Sequence, residues 1–294
     1  MDWPRDLAGW PNAELSRRIA HPPHRWHVQE AGQGETLLLI HGAGASTHSW
    51  RDMLPRLAAR FHVIALDLPG QGFTQAGGGW RCGLPQMSAD IAALMAAQGW
   101  RPRALIGHSA GAALALDLAI RLGAEGPSPE VVGINPALGN FEGVAGWLFP
   151  ALAKALALNP LSAAMLTLGG ASPARTGRLI ASTGSTLPPE GLALYARLMG
   201  DRSHVDATLR MMAQWRIDPL LERLPGIAAR SLFITGAKDS AVPPRTADRA
   251  AAQMPDAQVI HLPGLGHLAH EEDPEQVLEL IEAFLAAPEA ARAE

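Results

Sequence analysis

Six short aliphatic runs constrain this chain more than any other feature. They are "TLLLIHG" (36–42), "FHVIALDLPG" (61–70), "RALIGH" (103–108), "VVGINPA" (131–137), "SLFITGAKD" (231–239) and "QVIHLPG" (258–264). Each is stopped by a glycine, a proline or a polar residue, and runs so short and apolar predict strands buried on both faces. Helical patterns lie between them, over roughly 48–60, 87–99, 109–123, 245–254 and 274–286. Strand and helix in alternation are the order of a parallel sheet with right-handed crossovers, so the fold class is α/β. Upstream, "RWHVQEAG" (25–32) predicts an antiparallel hairpin strand at the sheet edge.

Residues 139 to about 228 interrupt the alternation. They read as five or six short helices separated by Pro and Gly, with no strand among them. An all-helical insertion between two parallel strands predicts a lid over the carboxyl edge of the sheet, where such sheets bind ligands. The expected organisation is a core in two parts, 1–138 and 229–294, with a helical lid at 139–228.

Composition narrows the function classes. Hydrophobic residues make up 48% and charged residues 18% of the 294, which excludes a disordered chain. The net charge of −4, with no block of five like charges, argues against a nucleic-acid partner. The single cysteine, Cys82, has no internal partner for a disulfide and fits a reducing compartment. The N-terminus has no apolar stretch of signal-peptide length. The uncharged run Ala155 to Ala174 approaches membrane-spanning length, but Asn159, Pro160 and Gly169-Gly170 make it a poor span. The expectation is a cytoplasmic protein without a transmembrane segment, at most peripheral to a membrane.

One pentapeptide carries chemistry. Gly107-His108-Ser109-Ala110-Gly111 follows a predicted strand and opens a predicted helix, the setting of a G-x-S-x-G nucleophile elbow. A serine capping a helix after a buried strand would leave the same pattern. The serine therefore needs partners: a base, and an acid to orient that base. Asp239 follows "SLFITGAK" and His267 follows "VIHLPGLG", both at carboxyl ends of predicted parallel strands, on the edge that holds Ser109. After "VVGINPA" no acidic residue occurs until Glu142, so Asp239 is the expected acid. The Gly-rich turn in "LLIHGAGAS" (38–46), with Gly42, predicts an oxyanion hole made by the amides of Ala43 and Ala110. That turn lacks the third glycine of a dinucleotide loop and the lysine of a phosphate loop.

The other histidines are given structural roles. His41 is expected to shape the oxyanion loop. His21, His24 and His27 have ligand-like spacing but no acidic or cysteine neighbour in sequence. His270 reads as a loop or surface residue, and His204, in "DRSHVD", as a polar helix start. No cofactor and no metal site is expected.

These elements resemble the α/β-hydrolase superfamily over residues 25 to 287. The resemblance lies in His41-Gly42, "DLPGQGFT" (67–74), the elbow at Ser109, "GAKDSAVPP" and "GLGHLAHEE". It implies a mostly parallel sheet of about eight strands flanked by helices, with a helical lid after strand six. An aspartate-nucleophile hydrolase is excluded because Ser109 holds the nucleophile position. Within the superfamily the chain resembles the magnesium-chelatase accessory proteins of bacteriochlorophyll biosynthesis. That likeness lies in "MDWPRDLAGWPN", "GASTHSWRDMLPRLAARFHVIALDLPGQGFT", "GHSAGAALALDLAI", "ALALNPL" and "MMAQWRIDPLL". It departs at Ala43, where that family is associated with a hydroxyl residue, although a backbone donor is unaffected. The resemblance implies a role near magnesium insertion, contact with magnesium chelatase, and a small apolar substrate such as a porphyrin or magnesium-porphyrin. The lid's Trp147, Phe149, Met199, Met211, Met212 and Trp215 suit a flat ring. Its cations, Lys154 and six arginines between Arg175 and Arg216, include candidates to hold a propionate.

Overall fold

A computed structural model of the chain describes residues 1–139, 162–167 and 172–287. The strands are β1 Ser16–His21, β2 His24–Ala31, β3 Thr36–Ile40, β4 His62–Leu66, β5 Pro102–His108, β6 Glu130–Ile134, β7 Ser231–Gly236 and β8 Ala257–Leu262. They form one sheet in the order β1-β2-β4-β3-β5-β6-β7-β8. The β1–β2 and β2–β4 pairings are antiparallel and the remaining five are parallel. The helices before β6 are α1 Leu54–Leu57, α2 Leu84–Gln98 and α3 Ala110–Gly123. Between β6 and β7 lie α4 Ser162–Thr167, α5 Pro173–Ala181, α6 Pro189–Met199, α7 Arg202–Gln214 and α8 Asp218–Leu221. After β7 come α9 Arg245–Ala251, α10 Ala269–Glu272 and α11 Pro274–Ala286.

Period-two alternation explains why the central strands are apolar throughout. Leu38, Ile40, Ile64, Leu66, Leu105 and Phe233 face a core shared with α2, α3 and α9. Their chain neighbours Leu37, Leu39, Val63, Ala65, Ile106 and Ile234 face a second core shared with α1 and α11. Both faces are covered, so the middle of each of these strands is apolar and polar residues stand only toward the strand ends. The chain leaves β3 for β4 on one side and returns to β5 on the other. The resulting crevice lies beyond the carboxyl ends of β3 and β5, where open α/β sheets take their ligands.

The structure corrects the sequence expectations in three places. β2 is not the sheet edge: β1 covers it, and β1 buries only Ile19 while exposing Arg17 and half-exposing Arg18. A charged edge strand carries no apolar alternation to read. The helix expected over 48–60 is a 3₁₀ turn, Thr47–Trp50, followed by the single turn α1. Its apolar residues Trp50, Met53, Leu54 and Leu57 follow one helical spacing, but the helix is broken into two short turns that bury them in one cluster. The helix expected from 87 begins at Leu84, with Pro85 in its first turn and Gly99 closing it in the left-handed region. Between β6 and β7 every described element is helical. The remainder of the expected lid, 140–161 and 168–171, lies outside the described residues, Lys154, Trp147 and Phe149 included. Among the described residues no helix is long and apolar enough to cross a membrane.

A buried carboxylate ties the loops beyond β3 and β4 together. Asp67 Oδ1 accepts from the Thr47 amide at 2.7 Å. Its Oδ2 accepts from His27 Nδ1 at 2.7 Å and from the Phe73 amide at 2.8 Å. A β-carbon on Gly72 would overlap this carboxylate, so the "PGQGF" turn needs a glycine there. Burial alone raises the Asp67 pKa, but the contacts with His27, His41 and the Phe73 amide outweigh it and bring it down to about 2. A folded value below the ordinary 3.8 means that this stabilisation is complete above pH 4 and is lost as the pH falls toward 2. Asp67→Asn turns an amide toward two donors and is expected to cost about 3 kcal/mol. Urea unfolding of both proteins from pH 7 to pH 2 checks this. The gap should be widest above pH 4 and narrow below it.

Candidate active site

Ser109 occupies the sharp turn between β5 and α3, at φ 51° and ψ −117°. A non-glycine residue in that region stores strain that its surroundings must impose. The Ser109 amide donates to the Ile134 carbonyl at 2.9 Å, and the Ala137 amide donates to the Ser109 carbonyl at 3.1 Å. A β-carbon on Gly107 would overlap the Gly111 backbone, and one on Gly111 would overlap the carbonyl oxygens of Ile40 and His41. The two glycines therefore let α3 start directly against β3 and β5, and the strain falls on the serine between them.

The structure brings Ser109, His267 and Asp239 into one hydrogen-bonded chain. His267 Nδ1 lies 2.7 Å from Asp239 Oδ2, and its Nε2 lies 3.1 Å from Ser109 Oγ. The carboxylate takes the proton on Nδ1, which leaves the Nε2 lone pair to accept from the serine hydroxyl; the tautomer is assigned from this network. Asp239 is buried and four donors converge on it. Oδ1 accepts from the amides of Ala241 (2.9 Å) and Val242 (2.8 Å), and Oδ2 accepts from Asn135 Nδ2 (2.8 Å) as well as His267. Sequence reasoning passed over Asn135, which stands at φ 45° just beyond β6 and also donates to the Gly266 carbonyl at 3.2 Å. The only signal was an amide between a buried strand and Pro136, a place where asparagine tolerates a positive φ.

Ala43 and Ala110 both border the cavity above Ser109. Among the described residues neither of their amides has a protein acceptor. A β-carbon on Gly42 would press on the His108 ring and the Ser109 β-carbon, so the loop passes this close only with glycine. The loop is held from below by His41, whose Nδ1 donates to the Gly42 carbonyl at 2.7 Å while its Nε2 accepts from the Leu68 amide at 2.9 Å. Burial lowers the His41 pKa, in keeping with a neutral ring that both donates and accepts. From above, Gln71 Oε1 accepts from the Gly44 amide at 2.7 Å. His204 Nε2 donates to the Gly44 carbonyl at 3.1 Å, and its Nδ1 accepts from the Gly72 amide at 3.0 Å.

Two histidines differ from their sequence reading. His204 does open a helix, α7, capped by Asp201, but it is buried, and burial pushes its pKa down to about 4. Both of its nitrogens are engaged, so it pins the insertion to the loop after β3 and to the 70–72 turn. His270 is not a surface residue. It is fully buried between Trp50 and His108, and burial takes its pKa to about 3. The one-turn helix α10 directs it inward, a matter of three-dimensional packing that "HEED" does not signal. Glu271 is buried beside it, accepting from Tyr195 Oη at 2.7 Å and from Arg51 Nη1 at 2.5 Å. The sequence left His24 and His27 without acidic neighbours, whereas the fold gives each a buried one, Asp90 and Asp67.

The cavity over Ser109 has a volume of about 510 Å³, within the range of small-molecule sites. Its roof comes from the insertion: Ile180 of α5, Tyr195 and Met199 of α6, Met211 and Met212 of α7, and Trp215. Leu198 instead packs with Trp10 and Phe73, and Met165 is exposed. Among the described residues lining the cavity none is a lysine or an arginine. Arg197 turns away to stack on Trp10 and to donate to the Asp6 carbonyl, and Arg210 pairs with Asp206.

The model of the alpha/beta hydrolase fold family matches residues 35–274. The magnesium-chelatase 30 kDa subunit of Rhodobacter capsulatus is 45% identical over 271 residues, covering 91% of this chain and 94% of that protein. The dihydrolipoyllysine-residue acetyltransferase component of the acetoin cleaving system of Pseudomonas putida is 31% identical over 280 residues, covering 93% and 68%. Among solved structures, an alpha/beta hydrolase fold protein from Burkholderia ambifaria superposes with a TM-score of 0.75 at 23% identity, covering 91% of this chain and 97% of that one. An esterase from Thermogutta terrifontis superposes with a TM-score of 0.74 at 21% identity, covering 92% and 97%. At those identities the two structures speak for the fold alone. The family match and the 45% relative together carry the conclusion: the chain belongs to the α/β-hydrolase family.

Proposed function

We propose that this protein is a serine hydrolase that cleaves an ester of an apolar substrate. The observation that carries the reading is the Ser109–His267–Asp239 chain, with spacings of 3.1 and 2.7 Å, at the floor of an apolar cavity. Ser109 Oγ attacks the ester carbonyl as its proton passes to His267 Nε2. The Ala43 and Ala110 amides hold the oxyanion as it forms. The imidazolium, stabilised by Asp239, protonates the departing alcohol. Water then enters, gives its proton to His267 and attacks the acyl-enzyme, releasing the acid and restoring Ser109. The net change is ester plus water to acid plus alcohol. The insertion at 139–228 acts as the lid that keeps bulk water from this exchange.

Ser109→Ala should abolish labelling by a fluorophosphonate probe, followed by mass spectrometry of the intact protein. Equal labelling of both proteins would remove Ser109 from the role. Asp239→Asn should keep the circular-dichroism spectrum and lower ester turnover by roughly 10⁴-fold, because the imidazole then loses its tautomer and its counter-charge.

The lining and the magnesium-chelatase name of the 45% relative support a substrate class. We infer a porphyrin or magnesium-porphyrin, acting in or assisting bacteriochlorophyll biosynthesis beside magnesium chelatase in the cytoplasm. The same two observations favour a second reading, a porphyrin-binding accessory factor that does not use its serine. Soret-band titration with protoporphyrin should give binding in the micromolar range, weakened at least about tenfold by Met212→Arg, which puts a charge on an apolar wall. With His204 engaged at both nitrogens, magnesium-protoporphyrin should bind without the spectral shift of an axial imidazole. Binding without fluorophosphonate labelling would favour the accessory factor. Hydrolysis of short acyl esters without binding would favour a general esterase or carbon–carbon bond hydrolase.

A further inference from the structure

The turn between α5 and α6, residues 182–186, sits between the loop that carries Asp239 and the loop that carries His267. On the acid side, the Ser240 amide donates to the Thr183 carbonyl at 3.2 Å and the Ser240 hydroxyl donates to the Ser182 carbonyl at 2.8 Å. On the base side, the Leu268 amide donates to Ser185 Oγ at 2.8 Å, and Ser185 is 2% exposed. Glu272 joins the turn to the same loop, its Oε2 accepting from the Thr186 amide at 3.1 Å and its Oε1 from the Gly266 amide at 2.8 Å. The approach leaves no space for side chains. A β-carbon on Gly184 would overlap the Lys238 carbonyl, and one on Gly266 would overlap the Gly184 backbone. Gly184 also stands at φ 84°, where other residues are strained.

The anchored positions are the ones that matter most for geometry. Ser240 directly follows Asp239, and Leu268 directly follows His267. A turn bonded to both neighbours sets the separation of the two side chains whose contact orients the imidazole toward Ser109. We propose that the 182–186 turn is a strut through which the helical insertion positions Asp239 and His267, with Ser185 as the positioning residue on the base side. The proposal rests on the serine-hydrolase reading and deepens it: the insertion is part of the apparatus that aims the base, besides being its cover. Ser185 carries the larger share because its loss leaves a buried amide without an acceptor and frees the loop that follows His267.

The test compares wild type with Ser185→Ala, Ser185→Thr, Ser240→Ala and Leu198→Ala, the last being a buried position of the insertion against Trp10 and Phe73, away from the turn. Two quantities are read: the rate of fluorophosphonate labelling across pH, and the low-field proton resonance of the His267 Nδ1–H held on Asp239. Ser185→Ala should slow labelling roughly tenfold, as expected for a displaced catalytic group, shift the midpoint of the labelling–pH curve, and broaden the Nδ1 proton through exchange with water. Ser185→Thr, which keeps the hydroxyl, should restore both. Ser240→Ala, at an exposed hydroxyl, should fold and show a smaller loss of the same kind. Leu198→Ala should lower Tm and leave both readouts at wild-type values. A wild-type rate and an unchanged Nδ1 proton in Ser185→Ala and Ser240→Ala would overturn the strut. A wild type that shows the proton but never labels would instead sink the hydrolase reading, and the proton alone would then decide the strut.

Discussion

The close packing of α3 against β3 and β5 is the constraint on which the rest of this molecule depends. A helix that begins immediately after a strand and lies directly on its neighbours needs small residues at the contact, and Gly107, Gly111, Ala112 and Ala113 supply them. The turn that results is too tight for ordinary backbone angles. The strain is lodged in Ser109, whose side chain is lifted out of the packed layer into the crevice at the carboxyl edge of the sheet. Ala110, the first residue of α3, and Ala43, beyond the end of β3, both border the cavity above Ser109.

Charge then organises what packing has placed. Three buried acids hold the loops around the site in register: Asp67 under the loop after β3, Asp239 behind His267, and Glu271 between Arg51 and Tyr195. Each is satisfied by several donors, which is the condition under which a buried carboxylate is tolerated. The cavity itself is free of lysine and arginine among its described lining residues, so a bound molecule meets aliphatic, thioether and aromatic surface. That division places the charge of the site in its supports and leaves the described walls apolar. It also removes the sequence-level expectation of an arginine facing a propionate from the described part of the site.

The central sheet was legible because burial on both faces leaves a run of aliphatic residues that nothing else in a polar chain imitates. Leu37 to Ile40 and Leu232 to Ile234 announce themselves in this way. β1 was not legible, since an exposed edge strand such as "SRRIAH" has no pattern to impose. The 48–60 segment misled for the opposite reason: its apolar residues follow a helical spacing, but they sit on two separate short turns, Thr47–Trp50 and α1, packed against the sheet. Ser109, Asp239 and His267 could be named because each stands at the carboxyl end of a readable strand and the order along the chain restricts the choices. Asn135, Gln71, His204 and Ser185 could not. Their roles rest on hydrogen bonds such as those to residues 104, 27, 132 and 83 positions away, and no local pattern encodes such a meeting.

What the sequence determined by itself is therefore the class of the fold and the three side chains, Ser109, Asp239 and His267, that meet beyond the carboxyl ends of the strands. Hydrophobic periodicity settles which segments are buried strands, and the flanking glycines settle where a side chain must be thrust into the crevice. Tertiary structure alone decided which polar groups support those side chains, which histidines are buried and neutral, and which side chains of the insertion form the roof of the cavity. The physical reason lies in range. Backbone propensity and burial act between near neighbours and are written along the chain, whereas hydrogen-bond partnership depends on how separately specified elements come to lie against one another.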